Sequence, residues 1–240
     1  MQTAAKTFNT YYLRFRRWQE STREPGLSAL LVIEALFLFV ATPLSGIGWL
    51  PRYVPPATFV LFVVATLIVT SRSRWAAGII LVSAVLSAVG VILHIDYPSV
   101  FTEWLSAGGR LLAIAILSVV IARAVFAPGQ VTRHRIEGAI VLYMNFALFF
   151  FILYQLIDVL VANAFTGLPK SGTEHGSGAA LLYFSFGTLT TATYGDIQPV
   201  FPFARNLTNL EAMIGQLFPA TLLARLVTQH SANHRESKRD

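Results

Sequence analysis

Six long runs of apolar residues constrain this chain more than any other feature. A helix crosses the hydrocarbon core of a bilayer with roughly 17–25 mostly apolar residues, and each run is long enough to do so. Of the 240 residues, 55% are hydrophobic and 12% are charged, whereas ordinary soluble domains carry about 25% charged residues. We therefore expect an all-α membrane protein with six transmembrane helices, at about residues 27–50, 54–70, 75–95, 105–126, 136–162 and 203–228.

Basic residues are concentrated in alternate connections between these runs. They precede the first run, separate the second from the third and the fourth from the fifth, and follow the last: Lys6, Arg14, Arg16, Arg17, Arg23, Arg72, Arg74, Arg133, Arg135, Arg235, Lys238 and Arg239. The other connections contain little more than Arg52, Lys170 and Arg205. Because cytoplasmic loops carry the excess of Lys and Arg, we expect a multi-pass protein of the cell membrane with both termini in the cytoplasm. The net charge of +6 then reflects topology, and we expect no nucleic-acid partner.

A shorter apolar segment, residues 178–189, is followed by the polar sequence TTATYGD at 190–196. The segment is too short to span a bilayer and favours a re-entrant helix. Non-helical backbone at membrane depth is tolerated only where it is buried in protein or lines a water-filled path. Hydroxyl and carbonyl oxygens that face an aqueous axis suit a cation that gives up its hydration shell. The sequence therefore predicts a cation path at this segment.

With its flanking helices, this segment resembles the pore module of the tetrameric potassium channels, and more closely bacterial ion-channel proteins with extra N-terminal helices. YFSFGTLTT is similar to the pore helix, YGD to the end of the selectivity filter, and ARNLTNLEAMIGQL to the inner helix. The resemblance covers about residues 135–228. It implies a homotetramer that conducts a monovalent cation, with potassium expected and sodium as the alternative, and no other cofactor. It also implies a filter whose ion-binding residues are Thr190, Thr191, Ala192, Thr193, Tyr194, Gly195 and Asp196.

Two filter positions depart from the family pattern T-V-G-Y-G: Ala192 replaces the valine, whose side chain only packs behind the filter, and Thr193 replaces the first glycine. The second departure is the one that matters. Glycine adopts positive φ freely, whereas a β-branched residue there is an outlier that costs of order 1–3 kcal/mol per chain. Either the Thr193 peptide flips, or its hydroxyl projects into the pore, or neighbouring groups enforce the strain. We expect potassium selectivity to be altered or reduced. The alternative is a non-conducting or regulatory membrane subunit that retains the channel fold.

The last apolar run contains residues that suit a gating hinge and a buried acid. By the resemblance, Gly215 falls nineteen residues after Asp196, where the family commonly has its hinge glycine. Pro219 removes an intrahelical hydrogen bond and kinks a helix, although a static kink is the alternative. Glu211 is a functional candidate because it is an acid inside a span, either as a brace behind the filter or as a cavity residue that attracts cations. Glu34 in the first run needs a partner from a neighbouring helix.

The same features divide the chain into parts. The N-terminal segment alternates aromatic and basic residues, which suits an amphipathic helix on the anionic inner leaflet. In the fourth run only Arg110 and Arg123 are basic, too few for a voltage sensor. No catalytic cluster or phosphate-binding loop is present, so we expect neither an enzyme nor a small-molecule substrate. The predicted parts are the N-terminal segment 1–26, a four-helix transmembrane domain 27–128, a pore domain 129–230 and a short cytoplasmic tail 231–240.

Overall fold

The structure is a computed structural model that describes residues 28–47, 49, 74–97, 99–127, 133–169 and 174–236. The predicted amphipathic segment 1–26 and the predicted span 54–70 lie outside the described residues. In the part described, the chain is mostly helical. Helix α1 covers residues 28–46 and contains a π-helical turn at Phe37–Ala41 before its last turn at Thr42–Gly46. The later helices are α2 (Arg74–Asp96), α3 (Val100–Val125), α4 (Arg133–Leu160), α5 (Glu174–Leu189) and α6 (Pro202–Glu236).

Two helix boundaries differ from the sequence-based expectation for local reasons. Helix α3 begins five residues before the predicted apolar run, because Ser99 and Thr102 form a reciprocal capping box at its start. Helix α6 continues beyond residue 228 to Glu236, and no Gly or Pro interrupts the sequence between Ala220 and that end. The first residues of the predicted tail are therefore helical.

Two of the described helices are long and apolar enough to cross a membrane, namely α3 and α4. Together with the helical content, they support an all-α membrane protein. Helix α6 has 35 residues, but polar side chains lower its mean hydropathy: Asn206, Thr208, Asn209, Glu211 and Gln216.

Helices that follow one another in the chain pack side by side from α2 to α6. One apolar core lies among α1 to α4 and contains the fully buried Leu30, Ile114, Leu117 and Leu142. A second core surrounds the C-terminal half of α4 and contains Tyr154, Phe165, Phe184, Ile197 and Ala204. The second core holds α5 and the segment after residue 196 against α4.

A small antiparallel pairing fixes the chain on the far side of the polar segment 190–196. Strand β1 (Phe165–Thr166) pairs with β2 (Gln198–Pro199), with Phe165 opposite Pro199. The carbonyl of Ala164 also accepts the N–H groups of Val200 and Phe201 at 2.8 and 3.1 Å. The polar segment therefore has a fixed start, at the end of α5, and a fixed end, beside the loop after α4.

Candidate functional site

The predicted filter segment, residues 190–196, follows α5 directly and is hydrogen bonded to its last turn. The N–H of Thr191 donates to the Thr188 carbonyl at 2.9 Å. The N–H groups of Ala192 and Thr193 both donate to the Gly187 carbonyl, at 2.8 and 3.2 Å. The C-terminal end of α5 therefore determines where the backbone of this segment lies.

Three residues of the segment have positive φ, with values of 57° at Thr191, 23° at Thr193 and 83° at Gly195. Gly195 adopts this conformation at no steric cost. Thr191 and Thr193 are both β-branched, and both are genuine outliers there. The N–H of Thr193 donates to the Gly187 carbonyl, so one of the groups that could hold this conformation is the end of α5.

All seven residues of the segment are exposed in the single chain, and Tyr194 is 73% exposed. The Tyr194 ring stacks on Tyr183 with centroids 5.6 Å apart and an interplanar angle of 11°. Phe184, the residue after Tyr183, packs edge-on against Tyr154. The segment therefore presents its oxygen atoms on a surface that this chain alone does not cover.

Gly167 lies behind the outer end of this segment, and the sequence analysis missed it. Its φ is 83°, and a Cβ there would overlap the carbonyl oxygen of Asp196. Only glycine permits the loop after β1 to approach Asp196 so closely. Nothing in the sequence distinguishes Gly167 from the other glycines of that loop.

Glu211 is completely buried and connects three helices. Its Oε2 accepts a hydrogen bond from the Tyr154 hydroxyl of α4 at 2.6 Å, and its Oε1 lies 2.5 Å from the Ser185 hydroxyl of α5. Ser185 Oγ is also 2.8 Å from the Ala147 carbonyl. Glu211 of α6 thus contacts both α4 and α5, and its contact on α5 lies one turn before the end of that helix.

Gly215 lies where α6 crosses the end of α5. A Cβ at this position would overlap the carbonyl oxygen of Leu189, the last residue of α5. The Tyr143 hydroxyl lies 3.0 Å from that Leu189 oxygen and 3.4 Å from the Gly215 carbonyl oxygen, and it can donate to either. The predicted hinge glycine is therefore also a close contact between α6 and the base of the filter segment.

Pro219 lies inside α6, which continues on both sides of it. Phe218, just before it, packs against Phe126, Tyr143 and Phe146, with centroids 5.5–6.4 Å apart. Arg225 lies two turns after Phe218. It donates to the carbonyls of Val125, the last residue of α3, and Ala127, two residues beyond it.

Two tyrosine hydroxyls that bind the Leu189 carbonyl and Glu211, respectively, were not identified from the sequence. Tyr143 and Tyr154 are eleven residues apart, or three helical turns, and so share one face of α4. That spacing of hydroxyls within an apolar span was the available signal. Glu34 is also completely buried, and among the described residues its two carboxylate oxygens have no hydrogen-bond partner.

Comparison with known proteins identifies a similar family. Residues 138–231 match the model of an ion-channel family. The match begins near the start of α4, includes α5 and the segment 190–196, and ends within α6. A search of the curated proteins and a search of the solved structures each found no significant match. The family match supports an ion channel in a membrane, and such families are generally non-enzymatic.

Proposed function

We propose that this chain is one subunit of a homotetrameric cation channel of the potassium-channel type, with residues 190–196 as its selectivity filter. The observation that carries this proposal is the position of the segment within the ion-channel match. It follows the short helix α5, between the long helices α4 and α6. Carbonyl and hydroxyl oxygens in such a place can replace the water around a cation. The C-terminal end of α5 adds a partial negative charge that favours the cation.

The proposed tetramer is supported by the surfaces that remain exposed in a single chain. A single strand of oxygen ligands cannot surround an ion, and four strands around one axis can. The filter segment is exposed in the single chain, and so are several large apolar side chains of α6: Phe203, Leu210, Met213, Leu217 and Leu223. Contact with other copies would cover such surfaces.

In this proposal, Thr191 supplies the innermost ion site through its hydroxyl and its carbonyl. Ala192, Thr193 and Tyr194 supply carbonyl oxygens above it, and Asp196 stands at the outer mouth. Potassium is the expected permeant ion and sodium the alternative. The strained φ of Thr193 supports a filter whose potassium selectivity is altered or reduced.

The channel lies in the cell membrane with both termini in the cytoplasm. The basic segment 1–26 then contacts the anionic inner leaflet, and the fourth span is not a voltage sensor. Gly215 and Pro219 form the hinge at which α6 bends, which moves the cytoplasmic ends of four α6 helices together or apart.

The second candidate function is a non-conducting or regulatory membrane subunit, which the strain at Thr193 favours. Potassium flux from vesicles that contain the purified chain distinguishes the two. We expect flux above that of protein-free vesicles and of vesicles with the Tyr194→Ala variant, which removes the ring that stacks on Tyr183. An assembled native protein without flux would favour the non-conducting subunit.

A further inference from the structure

A buried network of polar groups lies directly behind the filter segment. Glu211 of α6 is completely buried, and its two oxygens contact the hydroxyls of Tyr154 on α4 and Ser185 on α5. Ser185 is buried as well. In the part of the chain that the structure describes, the hydrogen-bond partners of the Glu211 carboxyl group are both hydroxyls, and neither is cationic. Burial of an ionised carboxylate without a cationic partner is strongly unfavourable.

The hydrogen atoms of this network can be counted. Ser185 Oγ lies 2.8 Å from the Ala147 carbonyl oxygen and 2.5 Å from Glu211 Oε1. A carbonyl oxygen only accepts, and a serine hydroxyl has one hydrogen to donate. If Ser185 donates to Ala147, the contact with Glu211 is a hydrogen bond only when Oε1 carries a proton. Tyr154 still donates to Oε2 at 2.6 Å. A neutral carboxylic acid therefore satisfies all three contacts together.

Ser185 connects this network to the filter. Two residues further along α5, the Gly187 carbonyl accepts the N–H groups of Ala192 and Thr193. The position of that carbonyl depends on how the end of α5 is held against α4 and α6. Ser185 is held by Ala147 of α4 and Glu211 of α6. A strained φ persists only when the surrounding structure holds it in place. The contacts of Ser185 with α4 and α6 fix the end of α5, and the end of α5 in turn binds the N–H of Thr193.

On the basis of the proposed function, we propose that Glu211 is a positioning residue that acts as a neutral acid through Ser185. It holds the end of α5, and thereby holds Thr193 in its strained conformation and maintains the reduced potassium preference that the filter retains. Without the contact between Glu211 and Ser185, the Thr193 peptide is free to turn away from the axis, and one carbonyl site is lost.

The test is the potassium-to-sodium permeability ratio, obtained from reversal potentials in planar bilayers. Glu211→Leu removes both hydrogen bonds, and Ser185→Ala removes the link to α5 but leaves the contact between Glu211 and Tyr154. We expect each to move the ratio toward one by about fivefold, which is at the low end of coupling effects. Glu211→Gln keeps an acceptor for Tyr154 and gains a donor for Ser185, so it should retain the native ratio.

The matched control is Ser83→Ala. Ser83 is a buried serine whose hydroxyl donates to the Ile79 carbonyl within α2 at 2.8 Å. This variant should keep the native ratio. A native ratio in Ser185→Ala would overturn the inference, even if Glu211→Leu fails to assemble. An equal loss in Glu211→Gln and Glu211→Leu would overturn it too, because the carboxylate would then act through its charge.

A double-mutant cycle tests whether the effect passes through Thr193. In a Thr193→Gly background, positive φ costs nothing, so Ser185→Ala should change the ratio by less than about twofold. Effects of coupled residues are non-additive in this way. An undiminished effect in that background would contradict the assigned route.

The native protein in the same bilayers separates this inference from the proposed function. If the native protein carries no current, the proposed channel function fails. If it carries current and every variant has its permeability ratio, the channel function stands and only the role of Glu211 fails.

Discussion

At Thr193, the side chain and the backbone conformation oppose each other. The φ of 23° is one that glycine adopts freely and a β-branched residue avoids. The Gly187 carbonyl holds the Thr193 N–H at 3.2 Å, so the end of α5 contributes to keeping the residue there. The backbone conformation at Thr193 is therefore linked to the position of α5.

Thr193→Gly is expected to sharpen the preference for potassium over sodium. Glycine removes a strain of about 1–3 kcal/mol per chain, so in all four chains the carbonyl can stay toward the axis without being held there by the end of α5. Reversal potentials in mixed potassium and sodium measure the ratio. Asn163→Gly is the matched control, since Asn163 also has a positive φ, of 60°, but lies outside the segment 190–196. Equal ratios in the native protein and Thr193→Gly would contradict this prediction.

Gly215→Ala is expected to destabilise the protein. The new Cβ would overlap the Leu189 carbonyl oxygen, so α6 must move away from the end of α5, and such overpacking costs typically about 1–3 kcal/mol. The melting temperature of the purified protein in detergent measures the effect. Gly108→Ala is the control, because a Cβ built at Gly108 meets nothing within 4 Å. Equal melting temperatures for the two variants would show that the contact at Gly215 has no energetic role.

At the scale of elements, the end of α3 is held by α6. Arg225 donates to the carbonyls of Val125 and Ala127 at 3.0 and 2.7 Å. Its guanidinium also lies 5.2 Å from the centroid of the Phe126 ring. Cations near the C-terminus of a helix are favourable because the last carbonyls lack intrahelical partners. The part of α6 beyond Pro219 is thereby connected to the C-terminal end of α3.

Arg225→Gln is expected to lower the stability of the protein by about 1.5–3 kcal/mol, the usual range for hydrogen bonds to a charged group. Thermal unfolding in detergent measures the change. Arg133→Gln removes the same charge from a side chain that is 89% exposed and pairs with Glu137 at 3.5 Å. Such an exposed pair contributes about 0–1 kcal/mol. If the control variant loses as much stability as Arg225→Gln, the connection to α3 is not what Arg225 supplies.

The helices were largely predictable from the sequence, and the contacts between them were not. Apolar runs identified α2 and α4 within a few residues, and the start but not the end of α6, because this signal is local. Capping by Ser99 moved the start of α3, and this too is local. The partners of Glu211 are 26 and 57 residues away in the chain, and only tertiary packing brings them together. The sequence therefore left both a brace and a cavity role open for this acid.

At the scale of the whole molecule, the exposed apolar residues of α6 follow a regular spacing. Phe203, Leu210 and Leu217 are seven residues apart, or about two helical turns, so they lie along one face. All three are exposed in the single chain, as is the filter segment that precedes α6. A stripe of this kind beside an uncovered row of oxygen ligands suits packing between copies of the same helix.

The purified native protein is therefore expected to have the mass of four chains of 26.4 kDa in native mass spectrometry. Leu217→Asn should reduce the tetramer, because it places an amide in the α6 stripe, where Leu217 is 60% exposed in the single chain. Val119→Asn is the control, since Val119 is similarly exposed, at 51%, on α3. A lipid-facing position tolerates the substitution without loss of assembly, although insertion costs rise for both variants. If the native protein is a monomer or dimer, or if both variants assemble equally, α6 does not form the subunit interface. The filter segment would then have no fourfold axis to surround.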